Sequence, residues 1–379
     1  MKKLCMYLPP FAPDYSGVCS ALFELNGLVV IHDAAGCTGN YTGFDEPRWY
    51  GSQKAVYCSG LRKIDVVMGN EQKFYDRISA AAKSRRPDFI AVVGSPVPMV
   101  IGTDFDGFGA ELESITGIPA FGFAANGTRL YHEGAAEACI ALIDRYARQP
   151  GKKHENRVNI LGATPLDITP SNLADMRKLL ENNGYKVGAC FSMGITLEQI
   201  EHAGESALNI AVSQAGVLIA EHMKEKFGTP YATGLPIGAR GAQDWLGRIR
   251  GVRAEEENSG AAPVIVVGDA VSAYSISSAL KKDFGIGADT ATPFSGKGNP
   301  RRGQTIEMEY EEEVIELVNN EKYRLVIADP LINQLIRNRT EKRHIDLAHY
   351  AISSKFYTHC ADDYIADNFN KNFGKEVLK

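Results

Sequence analysis

The first strongly apolar run of this 379-residue chain is followed, six residues on, by a thiol. Leu28-Val29-Val30-Ile31 reads as a buried strand, and His32-Asp33-Ala34-Ala35-Gly36-Cys37 follows it. That puts Cys37 at the carboxyl end of a strand, where open α/β sheets hold their ligands. A helix starting near Thr38–Asn40 would bring free N–H groups and a positive dipole end beside the sulfur, favouring a thiolate or an anionic group bound to it. The same residue also reads as a buried cysteine in a strand-to-helix turn. His32, at the strand end beside Asp33, reads equally as a hydrogen-bonding group near such a site, against substrate, or as a satisfied structural histidine.

Cysteines are concentrated early. Of seven, Cys5, Cys19, Cys37 and Cys58 fall in the first 58 residues. An odd number without short regular spacing makes no disulfide framework, so these are free thiols, metal ligands or both. Cys139, among alanines in an amphipathic stretch, and Cys190, in Val187-Gly188-Ala189-Cys190-Phe191, read as core. Two further candidates lie late in the chain. Lys297 belongs to the basic, Gly-rich loop Ser295–Gly303, either a solvated loop or a holder of an anionic substrate group. His349, in Leu347-Ala348-His349-Tyr350, reads as structural or as a substrate-side group.

Missing patterns narrow the chemistry. No G-x-x-x-x-G-K-[ST] loop and no G-x-G-x-x-G after a strand occur, so neither an ATP nor an NAD site of those kinds is expected. Nor is there a C-x-x-C pair, an H-E-x-x-H or a G-x-S-x-G. The 41 Lys and Arg against 46 Asp and Glu give a net charge of −5, which argues against nucleic acid as a partner. No apolar run reaches the ~18 residues of a membrane helix, and the amino terminus lacks a signal-peptide core. The expected location is the cytoplasm.

Short apolar runs recur along the chain, each followed by a turn and an amphipathic stretch. Strands are expected at Gly27–Asp33, Asp65–Gly69, Asp88–Ser95, Ile118–Ala124, Val158–Ala163, Lys186–Phe191, Ala207–Ser213, Ala262–Gly268 and Arg324–Asp329. Helices are expected at Phe74–Lys83, Tyr131–Arg148, Ser171–Asn183, Leu197–Ala203, Val217–Phe227, Ser272–Asp283 and Glu311–Asn320. Strands without alternation are buried on both faces, the mark of parallel sheets covered by helices. Repeated strand–helix order makes the fold class α/β, doubly wound and Rossmann-like. Polar, breaker-rich seams at Gln149–Asn156 and Gly251–Ala262 divide it into three domains, 1–150, 151–258 and 259–379, set around a central cleft.

The His32-to-Cys37 element resembles the His-Gly-Pro-x-Gly-Cys element of nitrogenase component 1 and its relatives. Further resemblances follow in the same order. Ile64-Asp65-Val66-Val67-Met68-Gly69-Asn70-Glu71-Gln72-Lys73 is similar to the family's apolar strand ending in Gly-Gly with an acidic–lysine pair. Pro96 through Val100-Ile101-Gly102-Thr103-Asp104 resembles its Cys-Pro-x-x-(Leu/Val)-Ile-Gly-Asp-Asp turn. Asn159-Ile160-Leu161-Gly162, Ala207-Leu208-Asn209-Ile210 and Phe227-Gly228-Thr229-Pro230-Tyr231 resemble middle-domain elements.

The resemblance implies a redox protein of paired homologous subunits, with an iron–sulfur cluster at their interface and a separate ATP-dependent iron protein as electron donor. The family's cluster cysteines are only partly present. The first would fall near Phe11–Pro13, with Cys19 several residues later; the third falls at Ser95 or Pro96; Cys58 is extra. Cys37 and Cys58, 21 residues apart, converge if they end adjacent strands. The ligands expected are Cys37, Cys58 and Cys19, with Ser95 as a non-cysteine candidate. The cluster expected is a 4Fe-4S type, simpler than nitrogenase's, completed by a neighbouring chain. The stretch Asn209–Gly216 lacks the cysteine that anchors the nitrogenase cofactor, so nitrogen fixation is not implied. What is implied is an oxidoreductase component that reduces a small molecule. The alternatives are a non-catalytic metallocluster assembly scaffold or carrier of the same fold, and a metal- or chelate-binding module without redox chemistry.

Overall fold

Thirteen strands are found among residues 5–69, 71–251, 263–360 and 362–378, which the computed structural model describes. They are β1 Gly27–Ile31, β2 Val56–Cys58, β3 Phe89–Val93, β4 Ala120–Phe123, β5 His154–Ala163, β6 Lys186–Ser192, β7 Ser206–Ala211, β8 Tyr231–Thr233, β9 Val264–Val267, β10 Ala288–Thr292, β11 Ile306–Glu307, β12 Leu325–Ala328 and β13 Arg343–Asp346. They form three parallel sheets, ordered β2-β1-β3-β4, β6-β5-β7-β8 and β11-β10-β9-β12-β13. The α/β class expected from strand–helix order is therefore present. The polar stretch 252–262, expected as the second seam, lies outside the described residues.

The chain clusters into two compact units. One comprises Ala12–Ala147 with Phe191–Glu201 and carries the first sheet. In it Leu28, Val30, Ile90 and Val92 pack against Ile78 and Ala82 of the helix Glu71–Arg85 and against Phe105, Phe108 and Leu112 of the helix Phe105–Thr116. Strand β3, Phe-Ile-Ala-Val-Val, is buried at all five positions, as covering on both faces requires. The helix Asp14–Leu22 is buried all round. It lies so close to the helix Tyr131–Tyr146 that a Cβ on Gly17 or Gly134 would overlap the backbone of Tyr131 or Asp14. Lacking an apolar stripe, it gave no helical signal in the sequence.

One expected strand is a helix. Lys63–Met68 turns helically: the Arg62 amide donates to the Asp65 carboxylate at 3.2 Å, and Gly69, at φ +60°, closes the last turn in the left-handed region. Capping at both ends overrides an apolar run that reads as strand. The strand beside β1 is instead β2, only three residues long.

The other unit comprises the first eleven residues with Arg148–Cys190 and His202–Lys379 and holds the second and third sheets. Strand β5 begins at His154, inside the polar stretch read as a seam. Buried Asn159 binds the Ala203 carbonyl at 2.9 Å and Asn209 at 2.8 Å, and accepts from the Ala189 amide at 3.1 Å. Gln214 laces the two sheets. Its amide nitrogen donates to the Phe294 carbonyl at 2.9 Å, and its side-chain oxygen accepts from Ala270 N and Thr292 Oγ1 at 3.1 Å.

Candidate functional site

The site forms where β1, β2 and β3 end together. Ile31 stands opposite Cys58 on one side and Val93 on the other. Beyond them the His32 amide donates to the Val93 carbonyl at 2.8 Å and Ser95 Oγ to the His32 carbonyl at 2.8 Å. These bonds hold the start of the Cys37 loop against the ends of its neighbours, so that Cys37, Cys58 and Ser95 share one end of one sheet.

Asp33 organises the loop. Its carboxylate accepts from Ala35 N at 2.9 Å, Thr38 N at 3.0 Å and Thr38 Oγ1 at 3.3 Å. Ala35 sits at φ +121°, a region costly for a residue with a side chain, by about 1–3 kcal/mol. The helix that follows, Gly36–Asn40, begins before Cys37 and runs into a π-helical turn, Tyr41–Asp45. Cys37 lies in its first turn, yet the helix start is already taken by Asp33. The electrostatic outcome therefore reverses the expectation of a thiolate-favouring pocket. Burial pushes the Cys37 thiol up and the Asp33 carboxylate adds to this, while hydrogen bonds with Tyr15 and Ser95 act the other way; nearby Cys58 raises it further. Without a metal or other cation, the sulfur keeps its proton.

Cys58 is half-buried; its thiol donates to the Asp33 carbonyl at 3.4 Å and accepts from Gly60 N at 3.3 Å. Tyr15 is buried and also takes a bond from Asn40 Nδ2 at 3.4 Å. Burial, and then the neighbouring Cys37 and Asp45, push its phenol well above the usual value. Sequence reasoning missed Tyr15 and Asp33, since neither lies in a metal-ligand spacing.

The other candidates are placed differently. Cys19 is fully buried in the helix Asp14–Leu22, its thiol raised by burial and by Glu46. His32 is 7% exposed, its ring edge-on to Phe74 at 4.9 Å and Phe108 at 5.5 Å. Burial lowers its pKa to about 4, the Asp33 charge opposing only in part. His349 belongs to the other unit: its amide donates to Asp329 at 2.8 Å, its ring lies 4.9 Å from that of Phe294 and tilted to it by 44°, and burial lowers its pKa to about 3. The backbone carbonyl of Lys297, in the same unit, accepts from Gln214 Nε2 at 3.4 Å. In that loop Arg301 covers the Tyr274 ring at 3.9 Å and Arg302 lies 3.7 Å from Glu307.

The donor chemistry at the first sheet is thus two soft thiols with a hydroxyl between strand ends. Among the described residues, no group of three His, Cys, Asp or Glu side chains is arranged to hold a metal ion. A cluster that prefers thiolates suits the pair, provided a second chain supplies the remaining ligands.

A family model for nitrogenase component 1 type oxidoreductases matches residues 14–263. The nitrogenase iron-molybdenum cofactor biosynthesis protein NifE of Methanococcus maripaludis is 25% identical over 224 residues, covering 57% of this chain and 46% of that protein. One light-independent protochlorophyllide reductase subunit, from Chlorobium phaeobacteroides, is 30% identical over 117 residues, 30% and 22% respectively. The nitrogenase molybdenum-iron protein alpha chain of Clostridium pasteurianum is 25% identical over 195 residues, 50% and 36%. The chain matches less than half the length of each of these relatives. The solved structure described as nitrogenase Cp1 at pH 6.5 superposes with a TM-score of 0.73 at 15% identity, over 100% of this chain and 93% of that one. Three parallel sheets in that fold, and a family match over most of the chain, lead to one assignment: the chain belongs to the nitrogenase component 1 type oxidoreductases.

Proposed function

We propose that the chain is one subunit of a nitrogenase-like reductase in which Cys37 and Cys58 hold an iron–sulfur cluster jointly with a second chain. The observation that carries this is that two incompletely buried thiols share one end of the first sheet, Cys58 ending β2 and Cys37 in the helix that follows the adjacent β1. A four-iron cluster takes four protein ligands; two thiols from this chain and two from an identical or homologous partner make that number. Ser95, already donating to the His32 carbonyl, and Cys19, buried beside Glu46, are left as supporting residues. Bound there, such a cluster supplies one-electron redox chemistry. Tyr15 and Ser95 would then orient the Cys37 sulfur and the Gly60 amide the Cys58 sulfur.

The rest of the reading concerns partners. Val100, Val67 and Met68 are 87%, 70% and 70% exposed, on segments that flank the candidate site. Exposed apolar side chains so grouped suit a protein partner, here a separate ATP-dependent iron protein that delivers electrons in the cytoplasm. The substrate is a small molecule, and the three-domain division 1–150, 151–258 and 259–379 belongs to the same proposal. A scaffold or carrier role is the second reading, favoured by the similarity to a cofactor biosynthesis protein.

Anaerobic purification with iron, sulfide and mass analysis tests the proposal. About four irons per two chains are expected, lost in Cys37→Ala and in Cys58→Ala and kept in Cys19→Ala. Iron retained in full by Cys37→Ala, or none in the parent, rejects it. Transfer of electrons from an iron protein separates the reductase from the scaffold.

A further inference from the structure

A cavity of about 340 Å³ opens beside the cysteine pair, reaching Ser59 and Gly60 but lined by neither Cys37 nor Cys58. Its inner wall is aromatic: His32, Phe74 and Phe108 line it, the two phenyl rings 4.9 Å apart and tilted by 30°. His32 is more than nine-tenths buried, its Nδ1 enclosed by protein with no hydrogen-bond partner among the described residues.

The charges around the mouth are mostly committed within the protein. Lys73 binds Asp65 at 3.2 Å, and Asp104 accepts from the Gly107 amide at 2.9 Å. Glu71 stands in the first turn of the helix Glu71–Arg85, where the free N–H groups favour a carboxylate. Arg77, one and a half turns further along, lines the cavity with no ion pair among the described residues. A second, apolar cavity of about 180 Å³, lined also by Cys58, shares Ser59, Phe74 and Arg77 with the first, so Arg77 lies where the two meet. We propose that the larger cavity binds a small planar aromatic carboxylate, its ring against Phe74 and Phe108 and its carboxylate on Arg77. Flat aromatic walls favour ring stacking, and Arg is the side chain whose fork matches a carboxylate with two parallel hydrogen bonds. Nothing in the site requires a cluster, so its test stands apart from that of the redox reading.

Ligand-observed NMR with three probes decides it: 4-hydroxybenzoate, phenol and 4-hydroxybenzylamine, each titrated against the intact chain purified anaerobically. The expected result is saturable binding of 4-hydroxybenzoate with a Kd of ~1 mM or tighter, the range of a fragment-sized ligand. Phenol should bind more weakly and the amine not measurably. Arg77→Ala should weaken the benzoate at least tenfold while leaving phenol unchanged, and Arg77→Lys should recover part of the loss. Because Arg77 is exposed, these variants should fold normally, which a thermal melt verifies. Phe74→Ala should weaken all binding. Cys37→Ala should leave every affinity as it was, whatever it does to iron. Absence of saturable 4-hydroxybenzoate binding, equal binding of the amine, or an unchanged Kd in Arg77→Ala overturns the proposal.

Discussion

Cys58 Sγ donates to the backbone carbonyl of Asp33 at 3.4 Å. The thiol that ends β2 is thereby fastened to the residue whose carboxylate holds the first turn around Cys37. The two loops are joined directly at this residue, for the Leu61 amide also donates to the Asp33 carbonyl at 2.8 Å and the Asp33 amide to Ser59 Oγ at 3.1 Å. Asp33 also links geometry with charge, because the carboxylate that orders the loop is the one that disfavours a Cys37 thiolate.

That dual role gives opposite shifts for two substitutions. Asp33→Asn keeps a capping side chain and removes the charge, so the Cys37 pKa should fall. Tyr15→Phe removes a hydrogen bond that lowers it, so the pKa should rise. The pH profile of Cys37 alkylation in metal-free protein, followed by peptide mass, reads both. Shifts in the same direction would contradict the assigned environment.

A second test concerns the wall behind Cys19. Glu46 is buried and bound by Arg48 Nε at 2.7 Å and by the Tyr41 hydroxyl at 3.1 Å. Arg48→Ala should cost about 3–5 kcal/mol in urea unfolding, because it strands a buried carboxylate. Adding Glu46→Gln should restore part of that loss. If the double variant is no more stable than the single one, the pairing account is wrong.

Stability at low pH should report on His349. Its folded pKa, about 3, lies below the ordinary 6.5, so the stability held in its neutral form is complete above about pH 6.5 and is lost as pH falls towards 3. Asp269 and Asp329, raised to about 6 by burial, work the other way: their contribution is present at low pH and is lost as pH rises through 6. Comparison with His349→Phe isolates the histidine. Relative to the parent, the variant should gain on the order of 3 kcal/mol between pH 7 and about pH 4.5. Parallel pH curves for the two proteins would contradict the burial.

Much of this was legible in the sequence, for identifiable reasons. Strands β1, β3 and β9 are unbroken apolar runs because helices cover both faces, so composition alone marks them. The run at 64–68 is equally apolar yet lies exposed as a helix; its capping by Asp65 and Gly69 was readable, but the apolar pattern outweighed it. Cys37 could be placed after an apolar strand, but Cys58 ends β2, a three-residue strand the apolar pattern does not show, and reads in the sequence as preceding a strand at 65–69 that is a helix. Cys19 could not be placed, since a buried helix of small residues has no periodic stripe to reveal it. The roles of Asp33 and Tyr15 depend on loop geometry, which no residue spacing encodes.

The exposed apolar segments allow a test that separates docking from cluster binding. Val100 ends the short helix Pro96–Val100 and is 87% exposed, so Val100→Asp breaks no core contact and should change stability by no more than about 0.5 kcal/mol. Iron content should also stay at the parental value, since neither Cys37 nor Cys58 is touched. If a protein partner docks there, burying a new carboxylate at the interface should reduce electron transfer from the iron protein by tenfold or more, about 1.4 kcal/mol. Ile115→Asp, on the helix Phe105–Thr116 and also exposed, serves as the control and should transfer electrons as the parent does. Stopped-flow oxidation of the iron protein, compared across the three proteins, gives the answer. An unchanged rate in Val100→Asp, or an equal loss in Ile115→Asp, would move the docking surface elsewhere on the molecule.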